Sequence, residues 1–147
     1  MATDLFHWTV DFGIGIREVD EQHKALVDLL NRLHVAIRGD DGSTTPRRIL
    51  DEFADYTGSH FALEESLMRE SNYPDLAAHK LIHEDLIGQI RGLQQKLDSD
   101  QTAITLELLH FLKVWLMRHI NDADRRFGAY FSAAGRAAKC SAQVQAP

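Results

Sequence analysis

Apolar side chains recur at steps of three and four residues along most of this 147-residue chain, which is the spacing of helices that bury one face. Four stretches follow the pattern, over residues 20–38, 46–72, 75–97 and 102–131. The segments between them are short, and no stretch alternates apolar and polar side chains as a strand does. The chain is therefore predicted to be all-α, an antiparallel up-down-up-down four-helix bundle.

The two ends of the chain lack this periodicity. Residues 1–18 combine aromatic side chains with glycines and are expected to form an irregular N-terminal arm. Residues 132–147 are mostly small and polar and are expected to form a flexible C-terminal tail, which includes the single cysteine, Cys140. The predicted domain thus spans residues 1–131, a length that suits one hydrophobic core.

Charge and composition exclude several functions. The net charge of −6 disfavours binding to nucleic acid or to an anionic membrane, since both require a basic surface. The sequence has no apolar run long enough to span a membrane and no basic, apolar leader, and one cysteine forms no internal disulfide. We therefore expect a cytoplasmic protein that acts as a monomer.

Histidine is the unusual component, with eight in 147 residues. Five histidines and one glutamate occupy the apolar stripes of the predicted helices: His23, His60, Glu64, His79, His83 and His119. One inward histidine is usually a hydrogen-bonded core residue. An apolar core has few groups able to satisfy five imidazoles and a carboxylate, whereas metal ions satisfy them together.

The spacing of these residues agrees with a shared metal site. His60 and Glu64 are four residues apart, as are His79 and His83, so each pair projects from adjacent turns of one helical face. The six residues lie near the starts of the first and third helices and towards the ends of the second and fourth. In an antiparallel bundle those positions fall at one end, so the six side chains are predicted to form one layer.

The other three histidines do not fit that layer. His34 is about 16 Å along the helix from His23, and His110 is about 13 Å from His119, at 1.5 Å per residue. His7 lies in the arm and has no predicted position. The predicted site therefore contains five histidines.

Four motifs of the sequence resemble those of the hemerythrin family and follow one another in the same order as in that family. Residues 15–24, GIREVDEQHK, are similar to the GIxxIDxQHK opening of the bacterial members, and residues 60–68, HFALEESLM, are similar to their HFxxEExxM. A Tyr-Pro pair then leads to His79-x-x-x-His83, and residues 115–124, WLMRHINDAD, resemble WLxxHIxxxD. The resemblance covers residues 8–131.

The resemblance implies a centre of two non-haem irons that are joined by an oxo or hydroxo group and bind O2 at an open position of one iron. By resemblance, His79, His83 and His119 are the ligands of one iron, His23 and His60 are those of the other, and the carboxylates of Glu64 and Asp124 bridge the two.

Asp124 is the one ligand that periodicity does not select. It follows His119 by five residues, about 140° around a helix of 3.6 residues per turn, so the pattern alone is equally compatible with a surface aspartate. If Asp124 faces the site, the fourth helix must be overwound or bulged between these two residues. We predict such an irregularity.

The ligand types favour O2 binding over oxidation, because five neutral imidazoles and two carboxylates are less anionic than the carboxylate-rich sites of ferritin-like oxidases. Trp115, Leu116 and Ile120 lie within a turn of His119 and are predicted to form an apolar O2 pocket, although plain core packing gives the same pattern. We expect an O2-binding protein for storage, delivery or scavenging, and not an enzyme. The alternatives are a di-iron peroxidase, ferroxidase or nitric-oxide-handling enzyme, and an O2 or redox sensor module.

Overall fold

The structure, a computed structural model, describes residues 8–9, 12–39, 46–99 and 106–145, with side chains described as far as residue 135. The helices are α1 (Arg17–Arg38), α2 (Pro46–Glu70), α3 (Leu76–Asp98), α4 (Leu106–His119), a π-helix (Ile120–Asp124) and α5 (Arg125–Gln145). α4, the π-helix and α5 follow one another without a break and form the fourth helix of an antiparallel four-helix bundle. The predicted fold class is confirmed.

The apolar stripes of the helices meet in one core. Its most buried members include Val19, Leu26, Leu30 and Leu33 of α1, Ile49, Leu50 and Phe53 of α2, Leu86 and Ile90 of α3, and Leu109 and Leu112 of α4. Complete burial of one such side chain stabilises the fold by about 1.5–3 kcal/mol. α1 packs against α2 and α4, and α2 packs against α3. Within the described part of the chain, every helix is too short or too polar to serve as a membrane span.

Hydrogen bonds fix the chain where α1 and α2 end. Gly39 follows α1 with a φ of +74°, a left-handed conformation that costs glycine little, and its N–H donates to the carbonyl of Ala36. After α2, the hydroxyl of Tyr130 donates to the carbonyls of Ser71 and Asn72 at 2.6 and 3.0 Å. The fourth helix of the bundle therefore also holds the turn that leads into α3.

The C-terminal boundary of the fourth helix differs from the prediction. Periodicity ends that helix at residue 131, but α5 continues to Gln145, so the predicted boundary is wrong. Residues 133–138 include four alanines, the strongest helix former, and extension of an existing helix avoids the cost of nucleation. Cys140 lies in this extension. The flexibility of residues 132–147, and the domain limit at residue 131, stay predictions.

The described part of the N-terminal arm is irregular and packs against the bundle. Ile14 is buried, and its N–H donates to Oδ1 of Asp20 at 2.8 Å. The arm passes so close to Gly128 of α5 that a β-carbon there would overlap the carbonyl oxygen of Ile14. Trp8 lies with its ring centroid 6.3 Å from that of His23. The arm thus covers the region of α1 that contains His23.

Replacement of Gly128 by alanine is expected to destabilise the protein by about 1–3 kcal/mol, because the added methyl group overlaps the Ile14 backbone and forces the arm to move. The matched control is Gly135→Ala in the same helix. A β-carbon at residue 135 meets nothing within 4 Å, and alanine is the better helix former by about 1 kcal/mol. Thermal unfolding should show changes of opposite sign, and a Gly128→Ala protein as stable as the control would contradict the close contact.

Candidate metal centre

The structure brings the seven predicted ligand side chains together at one end of the bundle. α1 provides His23, α2 provides His60 and Glu64, α3 provides His79 and His83, α4 provides His119, and the π-helix provides Asp124. Each of these residues is at most 5% exposed. Their ligand atoms form two groups that share both carboxylates: one contains Glu64, His79, His83, His119 and Asp124, and the other contains His23, His60, Glu64 and Asp124.

The Glu64 carboxylate divides its two oxygens between two sets of histidines. Oε1 lies 2.6 Å from Nε2 of His60 and 3.4 Å from Nε2 of His23. Oε2 lies 3.2 Å from Nε2 of His79 and 3.3 Å from Nε2 of His83. Each oxygen therefore belongs to a separate cluster of donors.

The Asp124 carboxylate makes the same division. Oδ2 lies 2.9 Å from Nε2 of His23, and Oδ1 lies 3.1 Å from Nε2 of His79 and 3.0 Å from Nε2 of His119. Metal–ligand bonds of about 2.1 Å at right angles place two ligand atoms about 3 Å apart, so these spacings suit ligands of a common ion. Both carboxylates thus have one oxygen in each of the two groups of potential ligand atoms.

The irregularity predicted between His119 and Asp124 is confirmed. α4 ends at His119, and residues Ile120–Asp124 form a π-helix before α-helical geometry resumes at Arg125. A π turn joins residues five apart, so the fifth residue after His119 returns to the same face. Asp124 is consequently fully buried, while Asp122 of the same segment is 78% exposed at its side chain.

Two of the imidazoles are hydrogen-bonded to acceptors on the side away from the cluster. Nδ1 of His60 donates to Oε1 of Gln22 at 2.7 Å, and Nδ1 of His83 donates to Oε2 of Glu65 at 3.1 Å. With the proton on Nδ1, a neutral ring turns its Nε2 lone pair towards the cluster, the state that binds metal. Sequence reasoning predicts such partners without identifying them. The sequence does offer a signal for them, because Gln22 and Glu65 each neighbour a predicted ligand within the motifs that resemble the hemerythrin family.

The carboxylates and imidazoles shift one another's pKa values. Burial alone lowers the pKa of His23 and of His79, but the close approach and negative charge of the Asp124 and Glu64 carboxylates outweigh burial and raise both pKa values to about 9. Burial and the charge of Glu64 raise the pKa of Asp124, yet His119 and His23 bring it down to about 2. A metal ion at this site must displace the protons of His23 and His79, so metal binding is expected to weaken as the pH falls and these two imidazoles become protonated.

A pair of cations fits this donor set. Several inward atoms lack a hydrogen-bond partner: Nε2 of His23 and His60, Oε1 of Glu64, and both carboxylate oxygens of Asp124. Five protonated imidazoles would bury five positive charges against the two carboxylates. Neutral rings with the proton on Nδ1, as in His60 and His83, would set a lone pair against carboxylate oxygens. Two metal cations between the rings and the carboxylates remove both problems, because each donor then faces a positive charge.

Aromatic rings stack face to face on two of the predicted ligand histidines. The Phe61 ring stacks on His83 with centroids 3.7 Å apart and planes 4° apart, and the Trp115 ring stacks on His119 at 4.7 Å and 17°. Phe61 was not selected from the sequence, although it follows His60 directly in its motif. Stacking fixes the ring planes, and with them the directions of the nitrogen lone pairs.

The three predicted pocket residues lie on the fourth helix beside His119. Leu116 and Ile120 are buried and Trp115 is half-buried. A surface cleft of about 330 Å³ is lined by Trp115 and His119, so it brings solvent to the edge of this part of the cluster. The role of these residues in binding O2 stays a prediction.

The remaining histidines lie apart from the cluster. Among the described residues, His34 and His110 belong to neither ligand group, and His110 is exposed. His7 lies outside the described residues.

Comparison with known proteins gives a match over most of the chain. Residues 14–131 match the family model described as Hemerythrin HHE cation binding domain. The chain is 38% identical to the bacteriohemerythrin of Stenotrophomonas maltophilia (strain R551-3), over 84% of this chain and 79% of that protein. It is 34% identical to the bacteriohemerythrin of Methylococcus capsulatus (strain Bath), over 88% of this chain and 98% of that protein. A crystal structure of wild-type hemerythrin superposes with a TM-score of 0.80 at 33% identity, covering 87% of this chain and 98% of that one.

Proposed function

The chain belongs to the hemerythrin family, and from that membership we propose that it binds O2 reversibly at a non-haem di-iron centre. One iron would be held by His79, His83 and His119, the other by His23 and His60, and both would share Glu64 and Asp124. A bound pair of ferrous ions supplies the electrons that hold O2. The protein supplies the ligands, their orientation and the exclusion of water.

The observation that carries this proposal is the division of carboxylate oxygens between two histidine sets. Glu64 and Asp124 each direct one oxygen to His23 and the other to His79. A mononuclear site has no use for two carboxylates arranged in this way. The group around His23 offers four ligand atoms and the group around His79 offers five, so the first has more room for an external ligand.

Reversibility is supported by the charge of the donor set. Two carboxylates balance only part of the charge of two ferrous ions, and the five imidazoles add none. Such a site stabilises high-valent iron less than a carboxylate-rich one. The burial of every ligand limits access of water and protons to the centre. We infer that the protein releases O2 unchanged and acts as a carrier, store or scavenger.

The test is a cycle of reduction, oxygenation and purging. The protein is loaded with Fe²⁺ under argon, its iron content is determined, O2 is added, and argon is passed again. A charge-transfer band that appears with O2 and disappears on purging, with colourless ferrous protein recovered, is the expected result. A single conversion to ferric protein with release of peroxide or water would favour a di-iron enzyme, and one ion or none per chain would contradict the di-iron centre.

Replacement of Leu116 by asparagine is expected to increase the rate of autoxidation by roughly tenfold, which corresponds to about 1.4 kcal/mol in the barrier. Leu116 is 2% exposed and lies one turn before His119, so a polar side chain there should bring water and protons to the centre. The decay of the oxygenated band in air measures the rate. Leu116→Met, which keeps an apolar side chain of similar volume, should change the rate little. Equal rates for the two variants would contradict a role of Leu116 in excluding water.

We also propose that the protein is cytoplasmic and monomeric and that O2 is its partner. The net charge of −6 argues against nucleic acid or an anionic membrane as a partner. The single cysteine is compatible with a reducing compartment. Cell fractionation and size-exclusion chromatography test the location and the oligomeric state.

A further inference from the structure

Two residues outside the ligand set contact the ligand imidazoles from behind, and they differ in charge. Gln22 accepts a hydrogen bond from Nδ1 of His60 through a neutral amide oxygen, and Glu65 accepts one from Nδ1 of His83 through a carboxylate oxygen. His60 belongs only to the group with four ligand atoms, and His83 only to the group with five. The two metal positions therefore differ in the partner of one imidazole.

The positions of Gln22 and Glu65 make them part of the helix packing as well as of the site. Gln22 precedes the ligand His23 on α1 and reaches across to α2, whereas Glu65 follows the ligand Glu64 on α2 and reaches across to α3. Neighbouring residues on a helix project about 100° apart, so the ligand faces the cluster, and its neighbour, Gln22 or Glu65, flanks the cluster. Each hydrogen bond thus ties a ligand imidazole to the adjacent helix.

The His83 ring is held on two sides. Glu65 binds its Nδ1, and Phe61 stacks on its face with centroids 3.7 Å apart and planes 4° apart. The Glu65 side chain is 17% exposed, so it keeps contact with water while its hydrogen-bond donor is buried. An anionic acceptor behind an imidazole raises the basicity of the opposite nitrogen more than a neutral acceptor does.

We propose that Glu65 and Gln22 are positioning residues that make the two metal positions unequal: the carboxylate behind His83 strengthens the three-histidine position, and the amide behind His60 leaves the two-histidine position weaker. This inference rests on the proposed di-iron function. The Gln22 bond, at 2.7 Å, is shorter than the Glu65 bond, at 3.1 Å, so the difference comes from charge and not from distance. The consequence is ordered loading, with the three-histidine position filled first.

Exchange of the charges tests the proposal, because glutamine and glutamate have nearly the same shape and both accept the Nδ1–H. The metal-free protein is titrated with Co²⁺ at one fixed pH, by calorimetry and by the cobalt absorption spectrum. The wild type is expected to bind two ions in two steps. Glu65→Gln should lower the Co²⁺ affinity of the first step by about 10–100-fold, and Gln22→Glu should raise the Co²⁺ affinity of the second step by at least a few-fold.

The opposite signs of the two effects separate this role from a structural one, since mere loosening of the site would weaken both steps in both variants. Glu70→Gln, at an exposed position of the same helix, is the control and should leave both steps unchanged. If Glu65→Gln does not fold, the strengthening by Gln22→Glu still decides the proposal. If the Co²⁺ affinities of both steps stay within twofold of the wild type in both charge variants, the positioning role of Glu65 and Gln22 is overturned while the di-iron function stands. A wild type that binds fewer than two ions would overturn both.

Discussion

Replacement of Asp124 by asparagine is expected to lower the iron content from two ions per chain to fewer than one. The fully buried carboxylate faces His23 through one oxygen at 2.9 Å, and His79 and His119 through the other at 3.1 and 3.0 Å. Its loss therefore affects both metal positions. Asparagine keeps the size but removes the charge, so metal affinity should fall by more than about 100-fold, the upper range for groups that only support a ligand. Elemental analysis of the purified protein measures the change.

The matched control lies two residues earlier in the same π-helix. The Asp122 side chain is 78% exposed and pairs with Arg126 at the surface. Asp122→Asn removes the same charge from the same segment and should leave both irons in place. An Asp124→Asn protein that retained two irons would show that the carboxylate does not bridge.

Removal of the irons by a chelator is expected to lower the melting temperature by roughly 20 °C. Each ion present at 1,000 times its dissociation constant stabilises the folded state by about 4 kcal/mol, and 1 kcal/mol corresponds to about 2–4 °C for a chain of this size. Without the ions, the buried carboxylates lose the positive charges that offset the cost of their burial. Thermal unfolding by circular dichroism, with and without chelator, measures the difference.

Two variants and one addition control for effects of the chelator itself. Fe²⁺ added back under argon should restore the higher melting temperature. His79→Ala, which removes a buried ligand, should abolish most of the difference between the iron-loaded and metal-free forms, whereas His110→Ala at the surface should preserve it. A chelated protein as stable as the loaded one would mean that the cluster holds no tightly bound ions.

The sequence was sufficient for the bundle and for most of the cluster. Helical periodicity selects inward positions, and polar residues such as His60 and Glu64 on an apolar stripe stand out because burial without a partner is costly. Successive helices run in opposite directions, so the starts of the first and third helices and the ends of the second and fourth lie in one layer. Residues as distant in the chain as His23 and His119 can therefore be grouped. The predicted end of the fourth helix is wrong, because intrinsic helix propensity continues α5 to Gln145, beyond the last residue of the apolar pattern.

The sequence by itself thus determined the four amphipathic helices, their up-down order and the layer of five histidines with Glu64, since all of these follow from positions along regular helices. Tertiary structure decided the rest. The π-helix turns Asp124 inward, a departure from regular geometry that no periodic pattern encodes. The Gln22–His60 and Glu65–His83 hydrogen bonds cross between helices, so they depend on how neighbouring helices are rotated about their axes. The division of the Glu64 oxygens between two histidine sets likewise exists only where α1, α2 and α3 meet, because it depends on distances of a few ångströms between separate elements.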